Sequence, residues 1–141
     1  MKFDIDIQRQ TIALGLEDFS PNAMLPNVCG GQYGRSPEDW REDVVAFVYY
    51  MLKAGLIAPI AGIEGYQNKD ANELRKILQE GDAENGFDVD LVWDIIHFFG
   101  TPGLTRLLQE CELYGWDALD SELSPSLQAA LAQHGILAPK A

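Results

Sequence analysis

Basic residues are scarce in this 141-residue chain: ten Lys and Arg stand against 22 Asp and Glu, for a formal net charge of −12. Nucleic acids and anionic membranes are held by Lys and Arg, so the balance disfavours both as partners and favours a basic protein. Cysteine is scarcer still. Cys29 and Cys111 are the only two, fewer than the paired frameworks that hold small secreted domains together, and reduced thiols in a cytoplasm fit better. Long apolar runs are missing as well. The longest, Val44 to Leu52, has the length of a core helix segment and falls short of the roughly 18 to 20 residues of a membrane span. The opening MKFDIDIQRQ places charges where a secretion signal needs continuous apolar chain.

What is present suits one globular domain. The hydrophobic fraction is 47% and the aromatic fraction 10%, enough for a packed interior despite the charge, and the length fits a single core. The punctuation predicts an all-α fold, a single-domain bundle of about five to six helices. Ser36-Pro37-Glu38-Asp39 reads as a cap, a first-turn proline and two acids favoured by the helix dipole; Gly55 is the stop. The helix between them, Pro37 to Ala54, carries Trp40, Val44, Phe47, Val48, Met51 and Leu52 on one stripe and is expected to be the central buried element. Asp70 and Glu73 form a capping box for a short helix that closes at Gly81, with Leu74, Ile77 and Leu78 inward.

Three further helices follow from similar signals. One starts after Asp88 and ends before Gly100, with Val92, Ile95, Ile96 and Phe99 on one face and Leu91 and Phe98 on another. The next opens at Thr101-Pro102 and runs to Tyr114, with Leu104, Leu107, Leu108 and Cys111 as its stripe. Ser124-Pro125 opens the last, ended by Gly135, with Leu127, Ala130 and Leu131 inside. The N-terminal segment is ambiguous: Phe3, Ile5 and Ile7 alternate like a strand, while Ile5, Ile12 and Leu16 share a helical face, and helix is favoured. Residues 17–35 are dense in Pro, Asn and Gly and read as a loop.

The informative feature is where the acids lie. Residues 1–76 hold 11 acids and 8 bases, whereas residues 77–139 hold 11 acids and Arg106 as their one base. Those acids form two groups: Glu80, Asp82, Glu84, Asp88, Asp90 and Asp94, then Glu110, Glu112, Asp117, Asp120 and Glu122. A solvated face that keeps the protein soluble is the plain reading. The functional one is a docking face for a basic protein. It gains from the neighbouring Trp93, Tyr114 and Trp116, since such aromatics are enriched among interface hot spots. Trp93 is expected in the core; Tyr114 and Trp116 join the acids, Asp94 aside, as candidate contacts.

Other constellations are weaker. Asp82 to Asp90 invites a calcium-loop reading, but counting from Asp82 puts Phe87 where the sharp turn needs Gly and Trp93 where a bidentate Glu belongs. Asp94 and His97 are spaced to share a helix face as an acid/base pair, without a nucleophile or second ligand at a supporting spacing. Cys29 to Gly34 is glycine-rich yet lacks the Lys-Ser/Thr of a phosphate loop. Asp120-Ser121 is a poor carrier-protein site because Glu122 stands where an apolar residue should follow. His134 reads as a C-terminal cap and Cys111 as a small core residue. No catalytic residue, metal ligand or cofactor site is expected, and oligomeric state is left open.

The stretch EDVVAFVYYMLKAGLIAPI, Glu42 to Ile60, resembles one found in some bacterial immunity proteins of contact-dependent inhibition and related polymorphic-toxin systems. There an aromatic-rich helix ending in Lys-x-Gly-Leu-Ile is followed by a loop and an acidic helical region. The resemblance covers about a third of the chain and transfers no functional residue. It implies a cytoplasmic inhibitor, not an enzyme, that binds a cognate cationic toxin domain, in many such systems a nuclease, and occludes its active or substrate-binding site. The alternative is an acidic secretion chaperone or adaptor, commonly a sheet-containing dimer.

Overall fold

A computed structural model describes residues 1–62 and 64–136. Among them are six α-helices: α1 (Ile5–Leu14), α2 (Pro37–Lys53), α3 (Ala71–Glu80), α4 (Val89–Ile95), α5 (Pro102–Glu110) and α6 (Pro125–Gln133). Short 3₁₀ turns fill the connections, and one two-stranded antiparallel sheet joins β1 (Ile57–Pro59) to β2 (Phe98–Gly100). The all-α expectation holds, and no described helix is long and apolar enough to cross a membrane.

The N-terminal ambiguity resolves to helix. Asp4 has extended backbone and its carboxylate accepts from the Ile7 amide at 3.0 Å, which caps α1. Thr11 and Ile12 then turn inward with Ile7 and Leu14. Residues 17–35 contain the 3₁₀ segments Pro21–Ala23 and Val28–Tyr33, the second crossing positive φ at Cys29, Gly30 and Gly31.

The central element is α2. Trp40, Val44, Phe47, Val48 and Met51 are at most 1% exposed, and the helix packs on α3 and on Val28–Tyr33. Gly55, at φ 73°, lets the chain reverse after it. Trp40 packs on Trp93 with ring centroids 5.5 Å apart; both indoles donate to backbone, Trp40 to Met24 O at 3.0 Å and Trp93 to Leu78 O at 2.8 Å. Two large aromatics are thereby buried with their N–H groups satisfied. The stretch from Glu42 to Ile60 contributes Val44, Val45, Phe47, Val48, Met51, Leu56 and Ile57 to the core.

Two boundaries differ from the sequence reading. The helix after Asp88 ends at Ile95, and Phe98 to Gly100 pair with Ile57 to Pro59 instead of continuing it. Pairing fits an aromatic-rich segment that lies against α1 and α5. Burial changes with it: Val92, Trp93, Ile96 and Phe98 face inward, while Leu91, Ile95 and Phe99 are exposed. Likewise α5 stops at Glu110, since Glu112 adopts φ 57° and the Leu113 amide returns to Leu108 O at 2.8 Å. Leu113 becomes a buried plug at this reversal.

Candidate partner-binding surface

The two acidic groups meet different fates in the fold. In the first, bases from the less acidic half come alongside: Asp90 pairs with Arg41 at 2.9 Å, Glu84 with Lys69 at 3.9 Å and Glu80 with Lys76 at 4.0 Å. Asp88 caps α4 by accepting from the Leu91 amide at 2.9 Å. Asp94 accepts from the Asn22 amide nitrogen. These acids are exposed, but their charge is largely answered or tied to local structure.

Asp82 does not belong to a surface. It is 4% exposed, and its carboxylate accepts from the Tyr66 hydroxyl at 2.6 Å and from the Asn85 side chain at 2.6 Å. Backbone bonds between Asp82 and Phe87 close the segment into a tight hairpin. Burial works against the charged form, but the bonds from Asn85 and Tyr66, with Lys69 nearby, outweigh it and hold the carboxyl below its usual range. Tyr66 is pushed the other way, upward, by burial and by the adjoining carboxylate. Asp82 is thus a folding residue, buried where the sequence suggests a surface contact.

The second group is presented outward. Between α5 and α6 the chain runs through Tyr114, Gly115 and a 3₁₀ turn, Trp116–Asp120. This connector is pinned to α1 at two points. Arg9 Nε donates to Leu119 O at 3.3 Å. Gln8, fully buried, donates to Glu122 O at 2.8 Å and accepts from the Ser124 amide at 2.7 Å. A single glutamine so satisfies a backbone donor and a backbone acceptor more than 110 residues away in sequence, and fixes the connector that bears the acids.

On that fixed backbone Glu110, Glu112, Asp117, Asp120 and Glu122 are all exposed, and among the described residues none forms an ion pair. Trp116 is 58% exposed, Tyr114 49% and Leu123 47%. Cys111, beside Glu110, is half-buried rather than a full core residue. Burial, and then the Glu110 charge, push its thiol upward, away from the reactive thiolate. The segment therefore combines five exposed carboxylates that form no ion pair among the described residues with three large exposed apolar side chains, a composition better suited to a cationic surface than to an anion.

Gln8 and Arg9 were invisible as site residues in the sequence. A glutamine on a helix has no local mark that separates a buried clamp from a solvated side chain; only the tertiary approach of residues 122–124 reveals it. Asp94 and His97 do not share a helix face, because α4 ends between them, and His97 is a hydrogen-bonded histidine of the kind its sequence setting favours over an acid/base pair. His97 Nδ1 lies 2.7 Å from Asp18 instead. His134 stands at the C-cap of α6. Comparison with protein-family models, with curated proteins and with solved structures finds no match.

Proposed function

We propose that this chain is an immunity protein that neutralises a cognate cationic toxin domain by binding it through residues 110–123. The observation that carries the reading is the pinned connector: five exposed carboxylates, none in an ion pair among the described residues, flank exposed Trp116 and Tyr114 along a connector that Gln8 and Arg9 hold at residues 119–124. Preorganisation reduces the ordering cost of binding. The carboxylates supply long-range attraction, which can raise association toward about 10⁸ to 10⁹ per molar per second at low salt. The aromatics supply anchors that slow dissociation.

In this reading the toxin is a nuclease whose basic substrate groove is filled by carboxylates in place of phosphates, and the complex forms in the cytoplasm. The chain itself carries out no catalysis. The largely helical architecture supports an inhibitor over a secretion chaperone of the sheet-containing dimeric kind. The test is capture of the partner from the native cell, followed by expression of that partner alone and together with this chain. A partner toxic alone and harmless in co-expression is expected. A harmless partner, or toxicity that co-expression does not relieve, would overturn the proposal.

A further inference from the structure

The outward face of the β1–β2 pair is apolar where solvent favours polar side chains. Ala58 stands opposite Phe99 in the register, and the Ile60 amide donates to His97 O at 2.9 Å, so Ala58, Ile60, His97 and Phe99 share one side of the sheet. The other side, formed by Ile57, Pro59 and Phe98, is buried. On the outward side Ile60 is 43% exposed and Phe99 39%. Ile95, 36% exposed, continues the strip from the end of α4, and exposed Leu91 lies one turn before it. Ile60, Ile95, Ile96 and His97 line a hollow of about 160 Å³, with Glu64 in its wall. Pockets for small molecules begin at roughly 300 Å³, so this hollow has room for one long side chain and not for a cofactor.

The border of the strip is acidic. On the far side of β2 the backbone bridge between Phe19 and Phe98 brings Asp18 to the outward face, where its carboxylate meets His97 Nδ1 at 2.7 Å. Asp94 precedes Ile95, and its carboxylate accepts from the Asn22 amide nitrogen, a neutral donor. No Lys or Arg lies within 4.0 Å of Asp18, Glu64 or Asp94 among the described residues, and none lines the hollow.

We infer that this face is a second docking surface, which takes a basic segment of a partner protein with apolar side chains between its cations. The stem of a lysine or arginine lies in the hollow against Ile60 and Ile95, with its charge at Glu64, and a neighbouring apolar side chain covers Ala58 and Phe99. Long cationic side chains bury their methylenes in this way while the head stays at a carboxylate or in water. Complementary charge selects a basic segment over an acidic one. A net charge of −12 opposes the stacking of two copies of this chain. The face lies outside residues 110–123, and either surface can fail without the other.

The test is a nuclear magnetic resonance titration of the full chain with acetyl-Lys-Leu-Lys-Leu-Lys-amide. Two further peptides separate the contributions, one with Ser in place of Leu and one with Glu in place of Lys. The Lys/Leu peptide is expected to shift the Ile60, Ile95 and Phe99 signals and to bind about five-fold or more tightly than either of the others, since it alone meets both the strip and its border. Ile60→Thr, which keeps a strand-favouring side chain, should weaken it by about five-fold, the scale of one lost methylene contact. Glu64→Gln should weaken it by about two- to five-fold, the scale of one exposed ion pair. Glu38→Gln, an exposed acid at the start of α2, should leave it unchanged. Should Ile60→Thr lose its fold, Ile95→Gln, on α4 and outside the sheet, gives the same reading. Binding of the Ser or the Glu peptide as tight as that of the Lys/Leu peptide, shifts centred on Trp116, or no binding overturns the inference. So do shifts of Ile60 and Phe99 on concentrating the protein alone, which would make the occupant a second copy.

Discussion

Asp82 shows how far a residue's neighbours decide what an acid does. In sequence it is one carboxylate in an acidic run; in the fold it is buried and bonded to Tyr66 and Asn85. Nothing local distinguishes it from Glu84, which stays exposed two positions later, because the decisive group, Tyr66, arrives from a separate turn. The consequence is a pH dependence. The folded-state carboxyl titrates below its unfolded value, so its contribution is full above about pH 4 and is lost as the pH falls through the folded value. Asp82→Asn should cost about 1.5 to 3 kcal/mol at pH 7, and urea melts should show the gap from wild type narrowing below about pH 4. A gap that does not change with pH would contradict this account of Asp82.

Phe47 is the contrasting case, a residue whose role the helical stripe does disclose. It sits at 0% exposure in the middle of α2, where periodicity places it. Phe47→Ala should destabilise by roughly 3 to 5 kcal/mol through lost burial and the cavity left behind. Chemical denaturation that gave less than about 1 kcal/mol would mean that the core has another centre.

At the scale of elements, caps were legible and strand pairing was not. The Asp70–Glu73 box forms as the residues predict, with both reciprocal bonds present, and α2 opens at Ser36-Pro37 as expected, with no capping bond from the Ser36 hydroxyl. Such signals work because caps are satisfied within four residues. Phe98 to Gly100 instead obtain their partners from residues 57–59, and three-residue strands are too short for alternation to show. The place is tight: a Cβ on Gly100 would come 2.6 Å from Leu14 O and 2.9 Å from Leu104 Cδ2. Gly100→Ala should therefore destabilise by about 1 to 3 kcal/mol as β2 is pushed off α1 and α5. Thermal melting at an unchanged midpoint would show that this packing is looser than it looks.

The whole molecule differs most from the chain in its charge map. Read linearly, residues 77–139 form one acidic half; folded, Arg41, Lys69 and Lys76 answer the first group and leave the second alone. Sequence arithmetic located the excess of acids in residues 77–139 but not which of them are ion-paired, because ion pairing joins residues that the count keeps apart. Within the remaining surface, Trp116 and the acids should play separable parts. Trp116→Ala should chiefly raise the dissociation rate of the partner complex, at a loss of about 2 kcal/mol or more if the indole fills a partner pocket. An unchanged dissociation rate would remove Trp116 from the interface.

The most direct test of the acidic-docking account is the association rate of the captured partner across a range of salt concentrations. Measurements would compare wild type with Asp117→Asn/Asp120→Asn and with Glu38→Gln/Asp39→Gln, which alters two exposed acids in the first turn of α2. Exposed charges attract over distances that salt screens. The account predicts that wild type slows steeply as salt rises, that the 117/120 variant is slower at low salt with a flatter dependence, and that the 38/39 variant follows wild type. If both variants behave alike, or if wild-type association is indifferent to salt, the carboxylates at 110–122 are only a solvated surface and the proposed docking mechanism is wrong.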